Sequence, residues 1–475
     1  MSQNTIERTA KLESISPDVA WERWAPSDAE PWNGARASLL HRRAGFGVNS
    51  FELQASIDTS PGQAIDQLFP AQGDPTDLPG ADAKAKAAIE SFELDSSTLA
   101  RSVLATSDVK KLAAWWLHRM LHTPHQLVEK MTLFWHGHFA TGAEKVLDPE
   151  LMLAQNQLLR RHAMGHFSEL VHCIAKDPAM LIYLDSVSNR KARANENFAR
   201  ELMELFCLGE GNYSEEDVQQ LAKCFTGWEI RRKQFRFNPY QHDSSSKRLF
   251  GQENIESGEQ AIDCVLANAS MPRFIVRKLF HFLVSDESSP SDDFLAPLVT
   301  RFVESHFQLT PVVKMILSSR LMLSGWSIGR KVRSPLELVL GWMRTMQCTS
   351  NLGILQNRLG DLGQSLFFPP NVQGWVGGRS WINSAALAAR SNLIYELLHQ
   401  ENSRFGGGNL AAYLEKNGLQ DPMQAVQWFE QHFLIEPISD LDREQMAEAL
   451  SQAKPNERYE FALSWLARMP RIHLS

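Results

Sequence analysis

The sequence predicts an all-α protein: one large multi-helix domain with at most a short β-hairpin, plus a C-terminal helical appendage. Three observations carry this. Apolar residues recur at helical spacing through eleven segments, several segments open on N-cap signals, and strand-like alternation is confined to one stretch.

In chain order, helical periodicity covers Lys111–Leu121, Pro124–Trp135, Pro149–His162, Phe167–Ala175, Glu196–Leu208, Glu215–Phe225, Glu259–Asn268, Pro272–Leu283, Pro311–Ser318, Pro335–Met346 and Ser384–His399. Start signals are Thr123-Pro124 with Gln126, Asp148-Pro149, Ser214 with Asp217, and Ser334-Pro335 with Glu337, since Ser, Thr and Asp accept from free N–H groups and Pro suits the first turn. In Trp228–Phe237, Ile230, Phe235 and Phe237 alternate loosely with basic residues, as in a short hairpin. Gln72–Ser97 is rich in Pro, Asp and Ala and reads as a loop with one surface helix. Glu401–Gly408 is a Gly-rich joint. The expected organisation is an N-terminal extension over 1–35, a main helical domain over 36–400 and a C-terminal helical segment over 409–475.

A chain of 475 residues with 43% hydrophobic and 22% charged residues suits a large soluble core. Its net charge of −7 argues against a nucleic-acid partner, because phosphate binding wants a basic excess. Five cysteines, odd in number and without a CxxC, imply no disulfide framework. No run reaches transmembrane length, and the N-terminus lacks the apolar stretch of a signal peptide, so the expected location is cytoplasmic.

The most informative stretch is Asn195–Phe206. Wound as a helix, it puts Glu196, Asn197, Arg200, Glu201 and Glu204 on one arc of about 140°, with apolar residues around the rest. Arg200 is four residues from Glu196 and from Glu204, so ordinary ion pairs can account for those three. Glu201 has no such partner. From Asn195 to Asp217 the chain carries seven acids and one base, which calls for water, a cation or outside Arg and Lys. Arg231, Arg232, Lys233, Arg236, Lys247 and Arg248 are candidates to answer the acids of the Asn195–Phe206 helix.

Several segments together resemble the bacterial family called domain of unknown function 1800. They are LLHRRAGFG (Leu39–Gly47), EKMTLFWHGHFAT (Glu129–Thr141), DPAMLIYLD (Asp177–Asp185), NENFARELMELFCLGEGNYSEEDV (Asn195–Val218) with TGW (Thr226–Trp228), His242-Asp243, SPLELV (Ser334–Val339) and LGQSLFFPPNVQGWVGGRSWIN (Leu362–Asn383). The resemblance implies a large, mainly helical bacterial protein. It also implies a phosphatase/sulfatase-like protein as a neighbour-encoded partner, and export, from which the N-terminus of this chain departs. His166 stands where the family pattern has Asn.

The remaining polar constellations are weighed against plain packing. His136-Gly137-His138 follows an apolar helix, and Gly137 permits a sharp turn that aims both rings into one cavity; the alternative is a buried His donating to a carbonyl. His242-Asp243, in a polar loop, is either an acid–base or ligand pair or a turn former. Trp375 and Trp381, with Arg379 in a Gly-rich loop, either wall a binding cleft or pin the loop. His118/His122 and His162/His166 have metal spacing but no HExxH glutamate, and Gly325–Gly329 matches GxSxG without the strand a nucleophile elbow requires.

The sequence therefore supports two readings. In the first, Glu196, Asn197, Arg200 and Glu201 do acid–base chemistry. His138, His242, Asp243 and Glu204 hold a divalent metal (Zn, Mn, Fe or Mg), and His136, Trp375, Trp381 and Arg379 bind a glycan or phosphorylated substrate. In the second, the same residues form a structural network in a non-catalytic partner of a phosphatase/sulfatase-like protein.

Overall fold

A computed structural model describes residues 6–69, 108–419, 421–454 and 458–475. The expected loop Gln72–Ser97 lies outside the described residues. Helices dominate, and strands among the described residues form three separate antiparallel pairs. The fold is all-α.

Local chemistry sets the helix starts. Ser214, Ser257 and Ser334 each accept the N–H three residues on, while Asp217, Gln260 and Glu337 reach back to the cap N–H. The expected start at Pro124 is displaced. Gln126 Nε2 donates to the carbonyls of Met120 and Thr123, and the helix runs Gln126–His138. The predicted hairpin forms between Trp228–Arg231 and Gln234–Phe237, with Trp228 opposite Phe237 and Ile230 opposite Phe235. Its two turn residues, Arg232 and Lys233, both have positive φ (53° and 62°), the tight turn whose twist matches paired strands. A second hairpin, Lys247–Leu249 with Gln252–Ile255, and the pair Cys348–Thr349 with Arg404–Phe405 were not expected. The latter places a strand inside the Gly-rich joint.

Two large apolar cores and a small third one of Ala37, Val48 and Leu53 fill the described residues. The first gathers Trp21, Trp135, Phe167, Phe206, Leu279 and Trp326; it includes residues of the N-terminal extension, and Trp21 Nε1 donates to Phe294 O at 2.7 Å. The second gathers Trp116, Leu338, Ile394, Leu414, Phe429 and Leu463, so residues of the C-terminal helices pack beside those of Val109–His122 and Pro335–Thr345.

Buried charges lie among the helices that carry these cores. Arg43 donates to the carbonyls of Leu283, Val284, Ser327 and Ser475 at 2.6–3.2 Å. The Lys130 ammonium meets Glu337, whose other oxygen accepts Ser334 N–H at 2.7 Å. Lys331 meets Asp286 at 2.9 Å. Glu129 sits between Arg119 and Arg160 (2.6 Å each) and accepts Trp116 Nε1–H at 2.8 Å. Burial of such charges is tolerable only because each finds a partner.

Candidate functional site

The polar arc is built differently from a regular helix. Asn197–Glu201 is α-helical, but Leu202–Cys207 widens into a π-helix, and Leu208 N–H reaches back five residues to Met203 O at 2.8 Å. The wider turn breaks the four-residue spacing that would join Arg200 to Glu204. Arg200 instead forks onto Glu215 (2.7 and 2.8 Å) and touches Glu196 at 3.2 Å. Its hydrogen bonds to Glu215 hold its proton more tightly than usual. Glu204 accepts the Tyr213 hydroxyl at 2.6 Å. Asn197 is exposed, and its N–H donates to Asn195 Oδ1 at 3.0 Å.

Glu201 is half-buried, and no hydrogen bond or ion pair reaches its carboxyl among the described residues. Burial, followed by the charge of Glu204, raises its proton affinity. Tyr183 lies close by: burial raises its hydroxyl pKa, and the charges of Glu144 and Glu201 add to that. Glu201 therefore sits in an acidic, tyrosine-flanked setting with only Arg200 opposing it.

His136 and His138 do not share a cavity. Because the helix continues through Gly137 to His138, two positions turn the side chain by about 200°. His136 packs on Trp116, Phe367 and Trp375, and its Nε2 accepts Phe367 N–H at 3.1 Å. Burial pushes it down to about 3, so it is neutral. His138 faces Phe134, Phe206 and Phe274. Its Nε2 is 2.9 Å from Phe206 O, which can only accept, so that nitrogen bears the proton. Nδ1 is a buried lone pair without a donor. Burial and then the charge of Lys278 hold the ring neutral.

His242 and Asp243 close a loop. His242 Nδ1 is 2.8 Å from Thr226 O and Nε2 is 2.9 Å from Glu256 O, so both nitrogens face carbonyls. Asp243 N–H donates to Thr226 Oγ1 at 2.8 Å, and its carboxylate accepts from Ser245 N–H and Oγ–H. The pair ties its loop to the Thr226-Gly227-Trp228 turn.

The expected metal set is therefore not assembled. No hydrogen bond or ion pair joins His138, His242, Asp243 and Glu204 to one another. Among the described residues no group of three or more His, Cys, Asp or Glu is placed to hold a metal ion. His118 and His122 do lie together, tilted at 49° with ring centroids 4.5 Å apart, but they are only two. Nor do the nearby basic residues answer the acids of the arc: Lys233 pairs with Asp148 and Glu150, Arg236 with Glu229, and the Lys247 ammonium with Asp243 O.

The tryptophan loop packs onto the histidine helix. Trp375 covers His136 at 5.7 Å, with its indole N–H buried and unpartnered. Trp381 is buried, while the exposed Arg379 pairs with Glu287.

One residue escaped the sequence reading. Lys278, on the helix Ser270–Leu283, has no ion pair among the described residues; its ammonium lies 4.9 Å from the Phe274 ring, and burial pulls its pKa down to about 8. The signal was present: Phe274, Ile275, His281 and Phe282 occupy the positions where an acid one turn away would pair with it.

A family model described as "Protein of unknown function (DUF1800)" matches residues 39–472. No curated protein and no solved structure matches the chain. Among the described residues, no helix is long and apolar enough to cross a membrane.

Proposed function

The chain belongs to the DUF1800 family, and on that footing we propose that it is an acid–base hydrolase whose working carboxyl is Glu201. One observation carries the reading: a half-buried, unpartnered carboxyl with raised proton affinity stands beside Glu204, whose own carboxylate is held by Tyr213. Neighbouring carboxyls set in different environments are how one site supplies an acid and a base together. Glu201 carries the proton to the leaving oxygen, Glu204 accepts a proton from the attacking water, and the bond to the leaving group is replaced by one to the water oxygen. Glu196 and Arg200 hold the helix end, and Asn197 offers an exposed amide to substrate.

The charge around Glu201 selects between the two substrate classes the sequence suggested. Glu204 lies near Glu201, Glu144 reaches the neighbouring Tyr183, and Arg200 is already engaged by Glu215 and Glu196. Such a field repels a phosphoryl group, so an uncharged glycan is the better substrate. Tyr183 and Tyr213 supply aromatic faces. The test is hydrolysis of chromogenic glycosides and of a chromogenic phosphate ester, from pH 4 to 9, by the wild type and Glu201→Gln. Glycoside turnover lost in the variant supports the reading, and turnover of the phosphate ester alone reverses the substrate choice. Wild-type rates no greater than those of the variant on every substrate sink it.

A second reading, the non-catalytic partner of a phosphatase/sulfatase-like protein, is favoured by a specific fact: the side chains of His136, His242 and Asp243 are all engaged with backbone. Co-purification with such a protein, and full binding by Glu201→Gln, would favour it.

A further inference from the structure

The helix Gly34–Ala44 carries a second buried arginine, Arg42, on a different footing from its neighbour Arg43. Arg42 is 8% exposed, and its Nη2 donates to His432 O at 3.0 Å. Its Nη1 is fully buried and finds no acceptor. Among the described residues no acid pairs with it. The charge that does reach it is that of another guanidinium, Arg333. Arg333 spends its own donors on the carbonyls of Ile472 and Glu337, at 3.3 and 3.0 Å. The nearby acid, Glu337, is already bound by Lys130 and by Ser334 N–H.

Arg42 and Arg333 together line a small enclosed cavity of about 10 Å³, with Ser38, Gly47, Thr345 and His432 also in its wall. A guanidinium does not shed its proton in a protein, so this corner holds two positive charges and an unused donor. A buried charge without a counter-charge is strongly destabilising. That volume is the space open to the centre of a water-sized sphere, so the site takes one water or one monatomic ion. A water there would satisfy Nη1 but leave the charge unbalanced, and carboxylate, sulfate and phosphate ions are too large.

We propose that this cavity is a binding site for a single halide ion, chloride under ordinary conditions, held by Arg42 and Arg333. The ion joins the helix Gly34–Ala44 to Pro335–Thr345 and Pro422–Phe433, whose residues form the wall. The site is independent of Glu201 and of the proposed hydrolysis.

The test is the thermal midpoint of the full-length protein titrated with chloride or bromide against gluconate at constant ionic strength, together with bromide anomalous diffraction. The expected result is a saturating rise of about 3 °C with either halide and none with gluconate. An anomalous peak should lie in the cavity between the two guanidiniums. Arg42→Met should abolish the halide response; if that variant does not fold, the wild-type titration and anomalous map decide. Equal midpoints in chloride and gluconate, or a cavity without an anomalous peak in bromide, overturn the proposal.

Discussion

Gly374 lies against the backbone of Gly137 so closely that a side-chain carbon on Gly374 would overlap the Gly137 carbonyl oxygen and lie 3.1 Å from its carbonyl carbon. The contact locks the tryptophan loop onto the helix that carries His136 and His138. Two segments more than 200 residues apart meet there backbone to backbone, which explains why the loop can cover His136 with Trp375.

Gly374 also has φ of +74°, so Gly374→Ala meets both a left-handed backbone and a clash with backbone that cannot swing aside. A loss of about 2–4 kcal/mol in urea unfolding is expected. The same variant should increase quenching of Trp375 by acrylamide, because the loop must lift to make room. An unchanged unfolding midpoint would show that the loop docks by other contacts.

Glu129 gives the fold a specific acid sensitivity. Burial pushes its carboxyl up, but the guanidiniums of Arg160 and Arg119 outweigh that and hold it at about 2, against 4.5 ordinarily. The contribution is complete above pH about 4.5 and is lost as the pH falls through 2. Glu129→Gln leaves two buried guanidiniums short of a charge, and should cost about 3–5 kcal/mol at pH 7. Urea midpoints at pH 7 and pH 3 check both points: the variant should lose less between them than the wild type does.

How much of this was legible beforehand differs by residue. The capping serines and the Trp228–Phe237 hairpin could be read because each depends on neighbours a few positions away. The π-turn could not: a template of three- and four-residue spacing is blind to an inserted residue, and so it joined Arg200 to Glu204 when Arg200 belongs to Glu215. His136 and His138 were misplaced for a related reason. Gly137 permits a turn, but nothing local reveals that Trp375 and Phe367 from the far loop keep the helix going through it. Glu201 stands out by an absence of partners along its own helix, and that absence persists among the described residues. Lys278 shows the same absence, but a lysine on an amphipathic helix usually points at water, so the sequence does not single it out.

Asp177 runs opposite to Glu129. Its carboxyl caps the helix Pro178–Tyr183 by accepting Met180 N–H at 2.9 Å, and it accepts Gln155 Nε2–H at 2.7 Å. Burial dominates and raises it to about 7 from 3.8. The folded chain therefore keeps a proton that the unfolded chain releases, so this stability is full below pH 3.8 and is lost as the pH rises through 7. Asp177→Asn keeps an acceptor for the cap and cannot ionise. Its stability should change little at pH 4 and should equal or exceed the wild type at pH 8. A variant weaker at pH 8 would mean that the ionised cap outweighs its burial.

Lys278 offers the last test, because its charge opposes folding at neutral pH. Burial without an acid partner lowers it to about 8 from 10.5. Below pH 8 the folded protein carries the full cost of a desolvated ammonium. Between 8 and 10.5 the folded amine sheds its proton while the unfolded one keeps it, so stability climbs with pH across that window. Lys278→Met places an uncharged side chain of similar length beside Phe274. It should stabilise the protein at pH 7 by about 1–3 kcal/mol, with the advantage shrinking toward pH 10.5. Labelling of the wild type with an amine-specific reagent should half-saturate at Lys278 near pH 8, well below exposed lysines. Should Lys278→Met prove less stable than the wild type at pH 7, the ammonium must be doing something for the fold that packing against Phe274 does not account for.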